Sequence, residues 1–91
     1  MRLRDAQRAF TSKLGAEEDV SGDHIYYYLE YEGSNYTVGK LSHSWSGPLN
    51  DTQINMLSKK LFLKKNEFER WVECTMPNTE MISLWLSRRT T

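Results

Sequence analysis

Gly22-Asp23-His24-Ile25-Tyr26-Tyr27-Tyr28-Leu29-Glu30-Tyr31, followed by Glu32-Gly33-Ser34-Asn35 and by Tyr36-Thr37-Val38-Gly39-Lys40-Leu41, decides the fold of this chain. The run from Ile25 to Tyr31 is β-prone and too rich in aromatic residues for a solvated helix. Residues 32–35 carry turn chemistry, and Tyr36 to Leu41 return as the partner strand. The expectation is an antiparallel hairpin whose first strand is entered through Gly22-Asp23-His24.

Upstream, Leu3, Ala6, Phe10 and Leu14 recur at helical spacing and Gly15 follows as a stop, which predicts a first helix over residues 3–14. Downstream, Ser42-His43-Ser44-Trp45-Ser46-Gly47-Pro48-Leu49-Asn50 is the one sizeable loop. Asn50 with Gln53 has capping-box spacing, and Ile54, Leu57 and Leu61 form the stripe of a second helix. After a break near Leu63-Lys64-Lys65, Asn66 and Glu69 repeat that spacing before Phe68, Trp71 and Val72, and Pro77 ends the third helix. Met81, Ile82, Trp85 and Leu86 share one face of a last helix, about Asn78 to Ser87, with Arg88-Arg89 at the dipole's negative end. The fold class is α+β: a small antiparallel sheet packed by helices, in the order α-β-β-α-α-α with room for a short extra strand near Val20.

The 91 residues fit one core, and 38% hydrophobic residues with three Trp suffice to order it. A single cysteine, Cys74, forms no internal disulfide and reads as packing within the third helix. No Cys/His cluster has metal-ligand spacing, so neither a secreted disulfide scaffold nor a zinc module is expected. The start, Met1-Arg2-Leu3-Arg4-Asp5, has no apolar leader, and no apolar run reaches the roughly 18 residues of a membrane span. The expectation is a cytoplasmic protein without membrane, metal or cofactor.

Net charge is zero, but its sign is segregated. Arg2, Arg4, Arg8 and Lys13 make the start basic; Glu17, Glu18, Asp19, Asp23, Glu30 and Glu32 make the next stretch acidic; Lys40, Lys59, Lys60, Lys64 and Lys65 turn it basic again. A neutral total therefore accommodates either a mixed solvated surface or a local basic face that meets phosphates.

The two histidines are the main chemical candidates. His24 opens the first strand, His43 lies just past the second, and antiparallel pairing brings those two ends together. Two histidines near one another suit phosphodiester cleavage, one removing the ribose 2′-hydroxyl proton and the other protonating the leaving oxygen. Both are equally at home as plain polar residues at strand and loop ends. By strand alternation Tyr26 and Tyr28 share the face of His24, where a tyrosine row either stacks bases or packs against a helix.

Gly22-Asp23-His24-Ile25-Tyr26, then Val38 to His43, then Thr52-Gln53-Ile54-Asn55-Met56-Leu57-Ser58-Lys59-Lys60-Leu61-Phe62-Leu63 with Phe68 beyond, resemble in order and spacing the HicA-type toxins of toxin–antitoxin modules. Members of that family have a strand opening Gly-Ser-His, a second strand ending near a further His, and a helix of the form Thr-Leu-x-x-Ile-Leu-x-x-x-Gly-Ile. Asp23 stands where that pattern has Ser. The likeness spans about residues 3 to 73 and implies a core domain over 1–74 with a helical extension over 75–91. It also implies a fold like that of double-stranded-RNA-binding domains and a metal-independent endoribonuclease acting on mRNA, held in check by an antitoxin protein. His24 then maps to the catalytic histidine as general base, with His43 second. Lys40, Lys59 and Lys60 would hold the RNA backbone, and Tyr26 and Tyr28 its bases. The other reading is a non-catalytic interaction domain of the same fold, which uses the tyrosine face or the Met81-Ile82-Trp85-Leu86 helix to bind a partner or a second copy of itself.

Overall fold

The chain divides into two units, Met1–Leu49 and Asn50–Thr91, of which the computed structural model describes residues 1–89. In the first unit, helix α1 (Leu3–Arg8) runs into a π-helical turn (Ala9–Lys13), followed by strands β1 (Glu17–Asp19), β2 (His24–Tyr31) and β3 (Ser34–Ser42). The second unit holds helices α2 (Asp51–Lys60), α3 (Lys65–Val72) and α4 (Asn78–Arg89). The expected α+β fold is therefore present, and the extra strand expected near Val20 is β1.

In the first unit the helical segment stops at Gly15, whose φ of 78° is open to a residue without Cβ. The strands form one antiparallel sheet in the order β1-β2-β3. Glu32 and Gly33, at φ of 51° and 83°, make the tight turn between β2 and β3, the two-residue geometry whose twist matches that of the strands. Both strands are longer than the hydrophobic pattern alone marks out, because so short a turn lets pairing begin at Tyr31 and Ser34 and continue to His24 and Ser42.

One face of this sheet is covered by the helical segment. The ring of Phe10 stacks on that of Tyr27, with centroids 4.8 Å apart and planes 13° apart. Gly39 is the cross-strand neighbour of Tyr27, and a Cβ there would lie 2.8 Å from Cζ of Phe10. The strand therefore carries glycine where the phenyl ring sits. One residue away the register slips: Tyr27 pairs with Gly39 but Tyr28 with Thr37, so buried Val38 forms a β-bulge. Tyr27 is fully buried, and its hydroxyl donates to Glu18 Oε2 at 2.6 Å. Burial and then that carboxylate push the phenol's pKa well above its ordinary value.

In the second unit, α2 begins with the expected capping box: Gln53 N–H donates to Asn50 Oδ1 (2.8 Å) and Asn50 N–H to Gln53 Oε1 (2.9 Å). The cap of α3 differs from expectation. The helix starts two residues earlier, with Lys64 N–H donating to Glu67 Oε1 at 2.7 Å, in place of an Asn66–Glu69 pair. The reason is that α2 closes abruptly: Phe62 takes the left-handed conformation (φ 56°), which turns the chain at once into the next helix.

Cys74, expected inside α3, lies beyond its end. It is exposed at φ 66°, while Thr75 and Met76 return their N–H groups to the Arg70 carbonyl. It thus fills the left-handed closing position usually given to glycine. The last helix runs to Arg89, slightly past the expected Ser87, and Met81 and Trp85 on its apolar face are buried, with Ile82 and Leu86 half-buried. Trp71 donates from its indole to Asn78 Oδ1 (2.8 Å). Of the extension expected over 75–91, residues 90 and 91 lie outside the described residues. Among the described residues no helix is long and apolar enough to cross a membrane.

Candidate nucleic-acid interface

Opposite the face covered by Phe10, strand alternation places His24, Tyr26 and Tyr28 in a row, all half-buried. The rings of Tyr26 and Tyr28 stack with centroids 6.1 Å apart, and that of His24 lies tilted 6.2 Å from Tyr26. The slip at Val38 affects β3 only, so the row along β2 is unbroken.

Cross-strand neighbours share a face, and the register therefore names what flanks the row. On the β3 side, Ser42 is opposite His24 and Lys40 opposite Tyr26, with Lys40 Nζ 5.8 Å from the centre of the Tyr26 ring. On the β1 side, Asp19 is opposite Tyr26 and Glu17 opposite Tyr28. Asp19 accepts from both the hydroxyl (2.6 Å) and the N–H (3.0 Å) of Ser21, and these bonds hold its pKa below the ordinary carboxylate value. The row thus has a cationic, hydroxyl-bearing side and an anionic one.

His43, expected to converge with His24, is tied to the backbone two residues before it at the open end of the hairpin. His43 follows Ser42, and its Nε2 donates to the carbonyl oxygen of Gly22 at 3.0 Å, tying the segment after β3 to the segment before β2. A carbonyl only accepts, so Nε2 carries the hydrogen and Nδ1 is the nitrogen left for other chemistry. Ser42 Oγ and Ser44 Oγ are 2.8 Å apart, and Ser44 N–H donates to Ser42 Oγ at 3.2 Å. The end of the hairpin thus carries His24 opposite Ser42 in the register, the linked hydroxyls of Ser42 and Ser44, and His43 on the Gly22 carbonyl, with Lys40 one pleat away.

Lys59 and Lys60 are exposed on the last turn of α2, in the second unit. Lys40 is the predicted cation that the hairpin itself carries beside the tyrosine row. Ser42 acquires its place beside His24 through the register, for which a strand ending at Leu41 gave no signal. Among the described residues no group of three His, Cys, Asp or Glu side chains could hold a metal ion. Compared with known proteins, the chain matches no family model, no curated protein and no solved structure.

Proposed function

We propose that this protein is a HicA-like RNA-binding and RNA-cleaving toxin domain, with the open end of the hairpin as its reaction site. The observation that carries the reading is the pairing of His24 with Ser42, with His43 held against the Gly22 carbonyl. In this reading His24 takes the proton of a ribose 2′-hydroxyl, and the freed 2′-oxygen attacks the adjacent phosphorus. The 5′-oxygen of the next nucleotide leaves with a proton, giving a 2′,3′-cyclic phosphate and a 5′-hydroxyl. Lys40 and the Ser42 hydroxyl lie where the phosphate's charge would be met, and Tyr26 and Tyr28 offer ring faces to unpaired bases. His43 supplies that leaving proton only through Nδ1, since Nε2 is committed to Gly22. Its first role is to position the turn from which His24 emerges.

An antitoxin protein that blocks the reaction would cover the same row of rings. Acting on mRNA places the chain in the cytoplasm, and the exposed, unpaired Cys74 suits such a reducing compartment. A second reading has its own observation: Asp19 and Glu17 lie beside Tyr26 and Tyr28, an acidic rim better matched to a basic protein surface than to phosphate.

The deciding experiment is RNA cleavage in the presence of EDTA, comparing wild type with His24→Ala. Cleavage that ends in cyclic phosphate and disappears with that one substitution assigns the reaction to His24. Wild-type protein that neither cuts RNA nor binds it at low salt overturns the reading in favour of the interaction domain.

A further inference from the structure

The loop that leaves the hairpin end builds a second feature. Trp45 N–H donates to the Ser42 carbonyl (3.1 Å), turning the chain directly after the residue that faces His24. The loop is then fastened to the start of the chain: Leu3 N–H donates to the Gly47 carbonyl (2.8 Å), Leu49 N–H to the Met1 carbonyl (2.9 Å), and Arg2 bridges Pro48 in antiparallel fashion. Beside this seam and α1 lies an open cavity of about 230 Å³ whose walls include Arg2, Arg4, Gln7, Trp45 and Ser46.

Its chemistry is one-sided. Besides Leu3 and Gly47, its lining residues are two arginines, a glutamine, a serine and a tryptophan, and none of them is acidic. Among the described residues neither Arg2 nor Arg4 is in an ion pair. Trp45 stays partly exposed, whereas Trp71 and Trp85 are 0% and 2% exposed. A flat aromatic left partly in water beside two unpaired guanidiniums is the combination that takes a base by stacking and its phosphate by charge-assisted hydrogen bonds. The volume lies below the roughly 300 Å³ at which pockets for drug-sized ligands begin, which suits a single nucleotide unit.

We propose that this cavity holds one unpaired nucleotide of an RNA strand, its base stacked on Trp45 and its phosphate held by Arg2 and Arg4, next along the strand to the nucleotide at His24. The assignment rests on the RNA reading above, but its test is separate. Trp71 and Trp85 are buried, so quenching of tryptophan emission by a short single-stranded oligoadenylate reports on Trp45. The double variant Arg2→Ala/Arg4→Ala is expected to weaken that binding about tenfold or more and to flatten the log–log salt dependence by about 0.7, the slope of one single-strand phosphate contact. Trp45→Leu is expected to abolish the quenching and weaken binding similarly. The unchanged emission of Trp71 and Trp85 in Trp45→Leu, and an unchanged circular dichroism spectrum in both variants, shows that the fold is intact.

Three outcomes overturn the proposal. Oligonucleotide affinity unaltered in both variants removes the pocket from the RNA path while leaving the His24 reading standing. Adenosine monophosphate bound as tightly as the oligonucleotide reassigns the pocket to a free nucleotide. Inorganic phosphate competing as well as either removes the stacked base. Quenching that follows the expected pattern in a protein that never cleaves RNA supports the pocket and ends the catalytic reading alone.

Discussion

His43 donates through Nε2 to the carbonyl oxygen of Gly22, 3.0 Å away, so the first residue after β3 holds the turn that precedes β2. Nε2 carries its hydrogen in the imidazolium as well as in this neutral tautomer, and the bond therefore survives protonation. We expect His43→Ala to raise amide exchange across residues 22–25 without altering that across Tyr27 to Tyr31. RNA cleavage should fall by about tenfold, the counterpart of roughly 1.4 kcal/mol, against complete loss in His24→Ala. His43→Gln, which keeps a donor, should recover much of both. An effect of His43→Ala equal to that of His24→Ala, with unchanged exchange, would assign His43 to the chemistry.

Gly39 is glycine because Phe10 occupies the space of a side chain there, 2.8 Å from the position of a Cβ. Phe10 is fully buried and stacked on Tyr27, so the ring has no free direction in which to yield. Gly39→Ala is predicted to destabilise the protein by about 1–3 kcal/mol, the usual cost of overpacking, despite removing a flexible residue from a strand. Urea denaturation at constant m-value measures it. The pair Gly39→Ala/Phe10→Leu should show a favourable coupling in a double-mutant cycle.

The hairpin was legible because each of its signals is local: an aromatic run, Gly at a turn, and a second β-prone run. The cap of α3 was not, since Asn66/Glu69 and Lys64/Glu67 have the same spacing, and the left-handed Phe62 that selects the latter is a large apolar residue with no intrinsic taste for that conformation. Cys74 was misplaced for a similar reason, standing at a position where glycine would have announced the helix end. Of the candidate site, alternation alone put His24, Tyr26 and Tyr28 on one face. Their flanking residues depended on register, and the register depended on the two-residue turn and the bulge at Val38. Arg2, Arg4 and Trp45 come together through hydrogen bonds between the first and last residues of a 49-residue unit, a non-local relation that leaves no periodicity to read.

Five tyrosines occur in the sequence, and Tyr27 alone of them is fully buried, donating to Glu18. Its raised pKa means that the folded state keeps a proton that the unfolded chain releases near the ordinary phenol value of about 10. The stabilisation is therefore complete below about pH 10 and is lost as pH rises further. A spectrophotometric titration should show one phenol ionising only together with alkaline unfolding. In Tyr27→Phe that late step should vanish, with a loss of about 1 kcal/mol at neutral pH for the missing hydrogen bond. A smooth titration of all five phenols in the folded protein would contradict the assignment.

In the second unit, Arg88 forms a fork on Glu67, with Nη1 to Oε1 at 2.7 Å and Nη2 to Oε2 at 3.0 Å, and Nη1 also donates to the Phe62 carbonyl at 2.9 Å. Glu67 Oε1 accepts in addition from the N–H of Lys64, so one carboxylate caps the start of α3 and holds the last turn of α4. The Arg88 bonds, reinforced by the Lys64 N–H, lower the Glu67 pKa to about 2 against the ordinary value near 4.3 for a free side chain. A depressed carboxylate contributes stability above its unfolded pKa and loses it as pH falls through the folded one. The contribution of this clamp should therefore be intact above about pH 4.3 and fade toward pH 2, steepening acid unfolding in that window. Glu67→Gln keeps the cap's acceptor but removes the charge, and should cost about 1–3 kcal/mol at pH 7, the range for hydrogen bonds to charged groups and for an orphaned partner. The difference between variant and wild type should shrink as pH is lowered toward 2. Arg88→Ala should follow the same pH course. Thermal melts at several pH values measure both, and a Glu67→Gln penalty that persists undiminished at pH 2 would show that packing, not the charge pair, accounts for the loss.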